Sequence, residues 1–365
     1  MIEKTHRERK SMTKTIKDFF ERVPSLDFSY IEILTKPTGI IQHAKFNIPD
    51  YHHGYCLDDN CRSLLLYCKA FNHLEPKYRN KYISIYLSFI QYAQKSDGNF
   101  RNFMSFDHNF LERIGSDDSF GRTIWALGYL LSREEITNFH AIAKEIFDRA
   151  YPHMENCKSV RAVAYQILGL IHYLEKFSEN EKIQKQLDNS CQFLMNEYHA
   201  AQDDNWHWFE EVISYDNAIL PLSLLRASQF LGNKELENVA LRSSCYLDQV
   251  VFQKGYFSSI GNMNWLKKDG SLSDYGQQPI EVSSTIMLYD ELNLHDTGIN
   301  CQERILQAFS WFLGINMTGD SLFDFQNMAC FDGLEDYGVN KNQGAESNLS
   351  FWLSYLDTIN YNQFS

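Results

Sequence analysis

The residues best able to do chemistry are acids, and they cluster. Asp58 and Asp59 stand in YCLDDNCR, Asp117 and Asp118 in IGSDDSFGR, Glu210, Glu211 and Asp216 in WHWFEEVISYDNA, Glu281 in QQPIEVSS and Glu346 in NQGAES. Rings accompany several of them. Trp206, Trp208 and Phe209 precede Glu210, Tyr215 precedes Asp216, and Trp125 follows Asp117. Carboxyls beside aromatic surfaces suit acid–base work on a glycosidic bond. One carboxyl, raised in pKa by apolar surroundings, donates a proton; another stays ionised and activates water or stabilises positive charge. In that scheme Asp58/Asp59 or Asp117/Asp118 supply the base and Glu210 or Glu211 the acid, by an inverting two-carboxylate route. Asp216, Glu281 and Glu346 then bind sugar hydroxyls.

Each feature also has a plainer explanation. Acids in a first helical turn gain about 0.3–1 kcal/mol from the helix dipole and from capping, with no catalytic role. Trp206, Trp208 and Trp265 are stacking platforms for sugar rings or ordinary core. Arg62 and Arg122 bind substrate or pair the neighbouring aspartates. Tyr215 and Gln278 complete the substrate-binding set. The histidines support a rival scheme, in which His207 and one of His52/His53 act as acid and base in a sugar epimerase; His108 lies near the same region. No HExxH or comparable spacing is present, so no metal is expected. GxGxxG, GxxxxGK[ST] and GxSxG are absent, which argues against a nucleotide cofactor or a serine nucleophile.

The elements that must position these groups are helices. Only 7 prolines and 18 glycines punctuate 365 residues. Six segments open polar or acidic and turn apolar: Asp58–Phe71, Asp117–Ser132, Ser159–Leu174, Asp216–Leu231, Glu281–Leu292 and Gly344–Ile359. Between them lie amphipathic helices near Lys77–Ala93, Ile136–Met154, Glu179–Tyr198, Asn233–Val251 and Cys301–Ile315, with a twelfth near Thr13–Val23. The first class suits a buried inner ring and the second a half-solvated outer ring. Six alternating hairpins predict an all-α (α/α)6 toroid over 30–365, preceded by an N-terminal segment, 1–29, that supplies one outer helix. Parallel inner helices would bring the acidic starts to one mouth. Gly255–Gln278 reads as a small β-hairpin or loop insertion, and Met317–Gln343 as a second long connection.

Composition bounds the rest. Apolar residues make up 44% and charged residues 22%, a globular balance. The aromatic share is 15%, and the net charge is −13 from 47 acids and 34 bases, a field that repels nucleic acid. No apolar run reaches membrane-spanning length, and the charged start MIEKTHRERK predicts no signal peptide. Eight cysteines without a CxxC pair predict reduced thiols in the cytoplasm.

The chain also resembles the six-hairpin glycosidase superfamily. The strings GIIQHAKFNIPDYHHGYCLDDNCR (39–62), DYGQQPIE (274–281), FDGLEDYG (331–338) and NQGAES (342–347) are similar to a bacterial toroid domain. That domain occurs alone or attached to retaining glycosyltransferases, and the resemblance covers about residues 30–360. It implies the toroid fold, an oligosaccharide or glycoside as ligand, and a glycosyltransferase as a partner. The chain has no room for transferase Rossmann domains. Three functions follow as expectations: an inverting glycoside hydrolase, a sugar epimerase or isomerase, or a non-catalytic glycan-binding partner.

Overall fold

The computed structural model describes residues 2–361, and side chains from Met12 onward. The MIEKTHRERK side chains, and the last four residues of the expected 30–365 unit, lie outside what the structure describes. In chain order the helices are α1 (Ile2–Arg22), α2 (Ser29–Leu34), α3 (Leu57–Lys69), α4 (Pro76–Ala93), α5 (Asp117–Ser132), α6 (His140–Ala150), α7 (Val160–Lys176), α8 (Glu181–Ala201), α9 (Ile219–Leu231), α10 (Lys234–Val251), α11 (Pro279–Leu292), α12 (Cys301–Ser310) and α13 (Ala345–Thr358).

Helices α3, α5, α7, α9, α11 and α13 each pack on the next, and α13 packs back on α3, so the inner ring closes. Nearly every residue of these helices is buried, as their apolar or small composition requires. Helices α4, α6, α8, α10 and α12 pack outside α3, α5, α7, α9 and α11 in turn. The twelfth position is taken by α1, whose Phe19 and Phe20 contact Phe309 of α12 and Tyr355 of α13. The (α/α)6 toroid expected from the sequence is therefore the fold.

Local chemistry sets the helix ends. Ser116, Ser159, Asn180, Asn233 and Asn300 cap α5, α7, α8, α10 and α12 by accepting backbone N–H groups with their side chains. The outer segment expected at Ile136–Met154 is broken: α6 is flanked by 3-10 turns at Glu134–Phe139 and Tyr151–Asn156, the latter containing Pro152.

The β-structure is distributed differently from the expectation. Within 255–278 only Leu266–Lys267 is a strand, and it pairs with Val212–Ile213 rather than closing its own hairpin. The short hairpins lie instead at Thr35–Ile40, Ala44–Pro49, Phe323–Cys330 and Gly333–Asn340. Cys56 pairs with Phe103 and Tyr55 with Met104, which fastens the 100–116 loop beside the start of α3. Two-residue strands carry too little pattern to be read from sequence; tertiary contact forms them.

Candidate active site

A cavity of about 400 Å³ opens where the inner helices begin. It is lined by residues from the first two turns of α3 (Asp58, Asp59, Arg62), α5 (Asp118, Arg122) and α13 (Glu346, Ser347), and by Tyr215 and Gln278 just ahead of α9 and α11. His43, Cys56, Asn102, Phe103 and Asp332 complete much of the wall. The parallel inner ring thus brings acids far apart in sequence to one mouth.

The start of α3 is built tightly. Cys56 is its N-cap: the thiol sulfur accepts the Asp59 N–H, and the S–H donates to Asp59 Oδ2 at 3.0 Å. Asn102 Oδ1 accepts the Leu57 N–H at 2.9 Å, while its amide donates to Asp58 Oδ2 at 3.0 Å. The other Asp58 oxygen accepts from Arg122 Nε at 3.1 Å. Arg62 is buried between Asp59 Oδ1 at 2.9 Å and Glu346 Oε2 at 2.6 Å, and also donates to the Tyr215 hydroxyl at 2.7 Å. The Tyr215 hydroxyl in turn donates to Glu346 at 2.8 Å. Both arginines are therefore engaged by carboxylates of the site itself.

Beneath this layer lies a second one. Arg122 reaches the Tyr165 hydroxyl at 2.6 Å and lies 3.8 Å from Asp216, and Tyr165 donates to Asp216 Oδ2. Asp216 is buried, has φ of +45°, and its Oδ1 has no protein partner. Its backbone N–H donates to Glu281 Oε1 at 2.5 Å, and Asn217 donates to Glu281 Oε2 through both its backbone and its side chain. Burial, with the neighbouring Asp216 charge adding to it, pushes the Glu281 carboxyl up to about 8. Asp216 and Glu281, expected to bind sugar, thus form the support behind the cavity wall.

Two carboxyls facing the cavity are made harder to ionise by burial. Asp59 is raised, with Arg62 opposing the shift. Asp332 is raised as well, although Gly344 N–H at 2.7 Å and the Ser347 hydroxyl at 2.8 Å both donate to its Oδ1 and pull the other way. Asp118 has one oxygen held by the Ser159 hydroxyl.

Other expected site residues stand elsewhere. Asp117 accepts the backbone N–H groups of Lys158 and Ser159, tying α5 to the start of α7 outside the cavity lining. Glu210 pairs with Arg161 at 2.7 Å, and that arginine donates to Ser214 and to the Tyr215 carbonyl. Glu211 points to solvent and lies 3.6 Å from Lys268. Trp206 and Trp208 are buried core, Trp208 with no exposure at all, so neither offers a face to a ligand. Trp265 is half exposed on the 255–278 loop but does not line the cavity. His207 packs edge-on against Tyr246. His52 is exposed on Asp50, and His53 lies 3.7 Å from that carboxylate, outside the lining. The histidine that does line the cavity is His43, edge-on to His53 at 4.7 Å.

Sequence reasoning thus missed His43, Asn102 and Asp332. His43 and Asp332 fall inside the strings 39–62 and 331–338 that carried the resemblance, which was the available signal.

No family model and no curated protein matches the chain. Solved structures do, at low identity and over nearly the whole length. A sugar epimerase from a ruminal bacterium has a TM-score of 0.71 at 12% identity, covering 97% of this chain and 99% of that one. A D-mannose isomerase has 0.67 at 14%, covering 95% and 98%. An α-1,6-mannanase from Salegentibacter sp. HEL1_6 has 0.61 at 12%, covering 96% and 99%. These likenesses establish a shared toroid fold.

Proposed function

We propose that this toroid is a carbohydrate-active enzyme that hydrolyses an oligosaccharide or glycoside at the mouth where its inner helices begin. The observation that carries the reading is one cavity holding five carboxyls in unequal surroundings. Asp332, raised by burial, is the proton donor to the leaving oxygen. Asp58 or Asp118, held by hydrogen-bond donors, is the base that activates water. The acid role moves from Glu210 and Glu211 to Asp332, because Glu210 is tied to Arg161 and Glu211 faces solvent. Arg62, Tyr215 and Glu346 position sugar hydroxyls, and Asp59 holds Arg62. The fold is shared with enzymes named for sugar chemistry, and the Salegentibacter mannanase is inactive when two consecutive aspartates are replaced. Consecutive aspartates at Asp58/Asp59 and Asp117/Asp118 fit that pattern. We place the protein in the cytoplasm, since all eight cysteines are free thiols. No helix of the described residues is long and apolar enough to cross a membrane.

A second reading, epimerisation or isomerisation, is supported by His43 in the cavity and by the epimerase and the isomerase of the same fold. It rests on His43 in place of His207 and His52/His53. The two readings separate in one assay. Purified protein is incubated with cellobiose, mannose and α-1,6-mannobiose, and the products are followed by NMR. Hydrolysis gives new reducing ends and falls at least ~100-fold in Asp332→Asn. Epimerisation gives a new sugar of equal mass and is abolished in His43→Ala instead. Binding without turnover in wild type replaces both with a glycan-binding role beside a glycosyltransferase.

A further inference from the structure

The ring has two ends. The mouth gathers the starts of the inner helices, and a second cavity, of about 150 Å³, lies toward their C-terminal ends. No residue lines both. Between them is a waist of about 20 Å³, walled by Arg62 and Arg122 on the mouth side and by Leu65, Trp125, Met287 and Leu353 on the far side.

All six inner helices build the far cavity, and they do so with one spacing. Leu65 and Lys69 of α3, Leu222 and Arg226 of α9, and Leu353 and Asp357 of α13 stand four residues apart, one above the other on a helix face. Helices α5, α7 and α11 follow the same rule, with Tyr129, His172 and Glu291 as the polar members. The result is an apolar floor under a polar collar. A space of this size admits a molecule about as large as benzene.

The collar carries more negative charge than its own cations balance. Arg226 lies 3.0 Å from Glu291 and 3.5 Å from Glu175, and His172 Nδ1 lies 2.9 Å from that same Glu175. Gln229 donates to the other Glu291 oxygen at 2.7 Å, so Glu291 is satisfied. Asp357 is not. Lys69 pairs with its Oδ1, but Oδ2 has no protein partner, on a side chain nine-tenths buried. Asp290, exposed at the same edge, accepts from the Tyr361 hydroxyl with one oxygen and is close enough to make Asp357 harder to ionise. Lys69 is thus one cation for two carboxylates. Arg133, past the end of Tyr129's helix, is held by Glu135 at 2.5 Å and adds no free charge. The parallel inner helices also present their partially negative ends here. A buried carboxylate oxygen without a donor is costly, and the donor that would relieve it best is a cation. Below that oxygen the wall is hydrocarbon, so the rest of such a ligand is apolar.

We propose that the far cavity is a second binding site, taking a small primary amine whose apolar body rests on the leucine floor and whose ammonium group sits between Asp290 and Asp357. It stands apart from the carbohydrate reading and does not depend on it. The test is calorimetric titration of the whole chain at neutral pH with benzylamine, benzyl alcohol and benzoate, which share one ring and differ in charge. Benzylamine is expected to bind at least about ten-fold more tightly than either of the others. Asp290→Asn, at an exposed position outside the core, should weaken benzylamine about ten-fold, while Asp290→Glu, which keeps the charge, should keep most of the affinity. Asp332→Asn, at the mouth, should leave amine binding unchanged. No binding of benzylamine, equal binding of benzyl alcohol, or an equal loss in both Asp290 variants overturns the site. A loss in Asp332→Asn that Asp290→Asn does not show would put the amine among the mouth carboxyls, and that overturns it too.

Discussion

Asp332 and Glu281 are both carboxyls raised by burial, yet they do different things because one faces the cavity and the other lies behind its wall. For Asp332 the consequence is a rate. A protonated donor is lost as pH rises through its raised pKa, so kcat/KM should fall on the alkaline side; Asp332→Asn should remove that limb along with most of the activity. For Glu281 the consequence is stability. The folded state holds its proton up to about pH 8, whereas an unperturbed glutamate releases it near 4.5. Its stabilising contribution is fully present below the unfolded value and is lost as pH rises through about 8. Urea midpoints of the wild type should therefore decline between about pH 5 and pH 9. In Glu281→Gln the decline should be shallower, around a lower starting value, because an amide offers one acceptor to three N–H donors. A parallel pH dependence in both proteins would count against the assignment. The first-turn acids could be located from sequence because helix starts have a recognisable polarity pattern. Asp332 could not be found by that pattern, since it sits in a connection with no period, and only the 331–338 resemblance pointed to it. Glu210 and Glu211 misled because the rings before them turn into the core instead of lining a cleft.

At the scale of elements, the six inner helices were legible because apolar runs bounded by polar starts are a strong pattern. α5 matches its expected span of Asp117–Ser132 residue for residue. What the pattern does not carry is how closely two of them approach. Helices α5 and α7 pack backbone to backbone at Gly121, Gly128 and Gly169. A Cβ at Gly169 would stand 2.4 Å from the Ile124 carbonyl oxygen and 2.7 Å from the Trp125 nitrogen; one at Gly128 would stand 2.1 Å from the Gly169 oxygen. Alanine normally gains about 0.5–1 kcal/mol over glycine inside a helix. Here overpacking should outweigh that gain, and Gly169→Ala should lose about 1–3 kcal/mol in urea unfolding. Because Trp125 and Arg122 share α5 with Asp118, the same substitution should also weaken sugar binding at the mouth. Equal or greater stability in Gly169→Ala would mean the helices can separate freely, against the geometry.

The whole molecule is a ring, and a ring has to be closed. α13 meets α3 directly, Phe28 bridges Tyr67 of α3 and Trp352 of α13, and the N-terminal helix α1, the element furthest from α13 in sequence, packs on α12 and α13. The Tyr355 hydroxyl of α13 donates to the Val23 carbonyl at 2.9 Å, and Phe19 lies within 6.0 Å, centroid to centroid, of Phe309, Phe323, Phe325 and Phe351. Phe323 and Phe325 belong to the hairpin region that runs into Asp332, and Arg22 stacks on Phe325 at 3.5 Å. α1 therefore supports α13 and the base of the connection that presents the proposed proton donor. A twelfth helix near Thr13–Val23 could be read from its amphipathic pattern, but not its coupling to a residue more than three hundred positions away. Phe19→Ala removes a fully packed ring and should cost about 3–5 kcal/mol of stability. If α1 only stabilises, kcat at a temperature where the variant is fully folded should equal that of wild type. If it also holds the Asp332 connection in place, kcat should fall several-fold there while the KM for a disaccharide, set by Arg62, Tyr215 and Glu346, stays nearly constant. The second outcome is expected, because Phe19 touches the 323–325 strand region directly and none of the residues that hold Arg62. A KM that rises with kcat unchanged would place the influence of α1 on sugar binding and contradict that route.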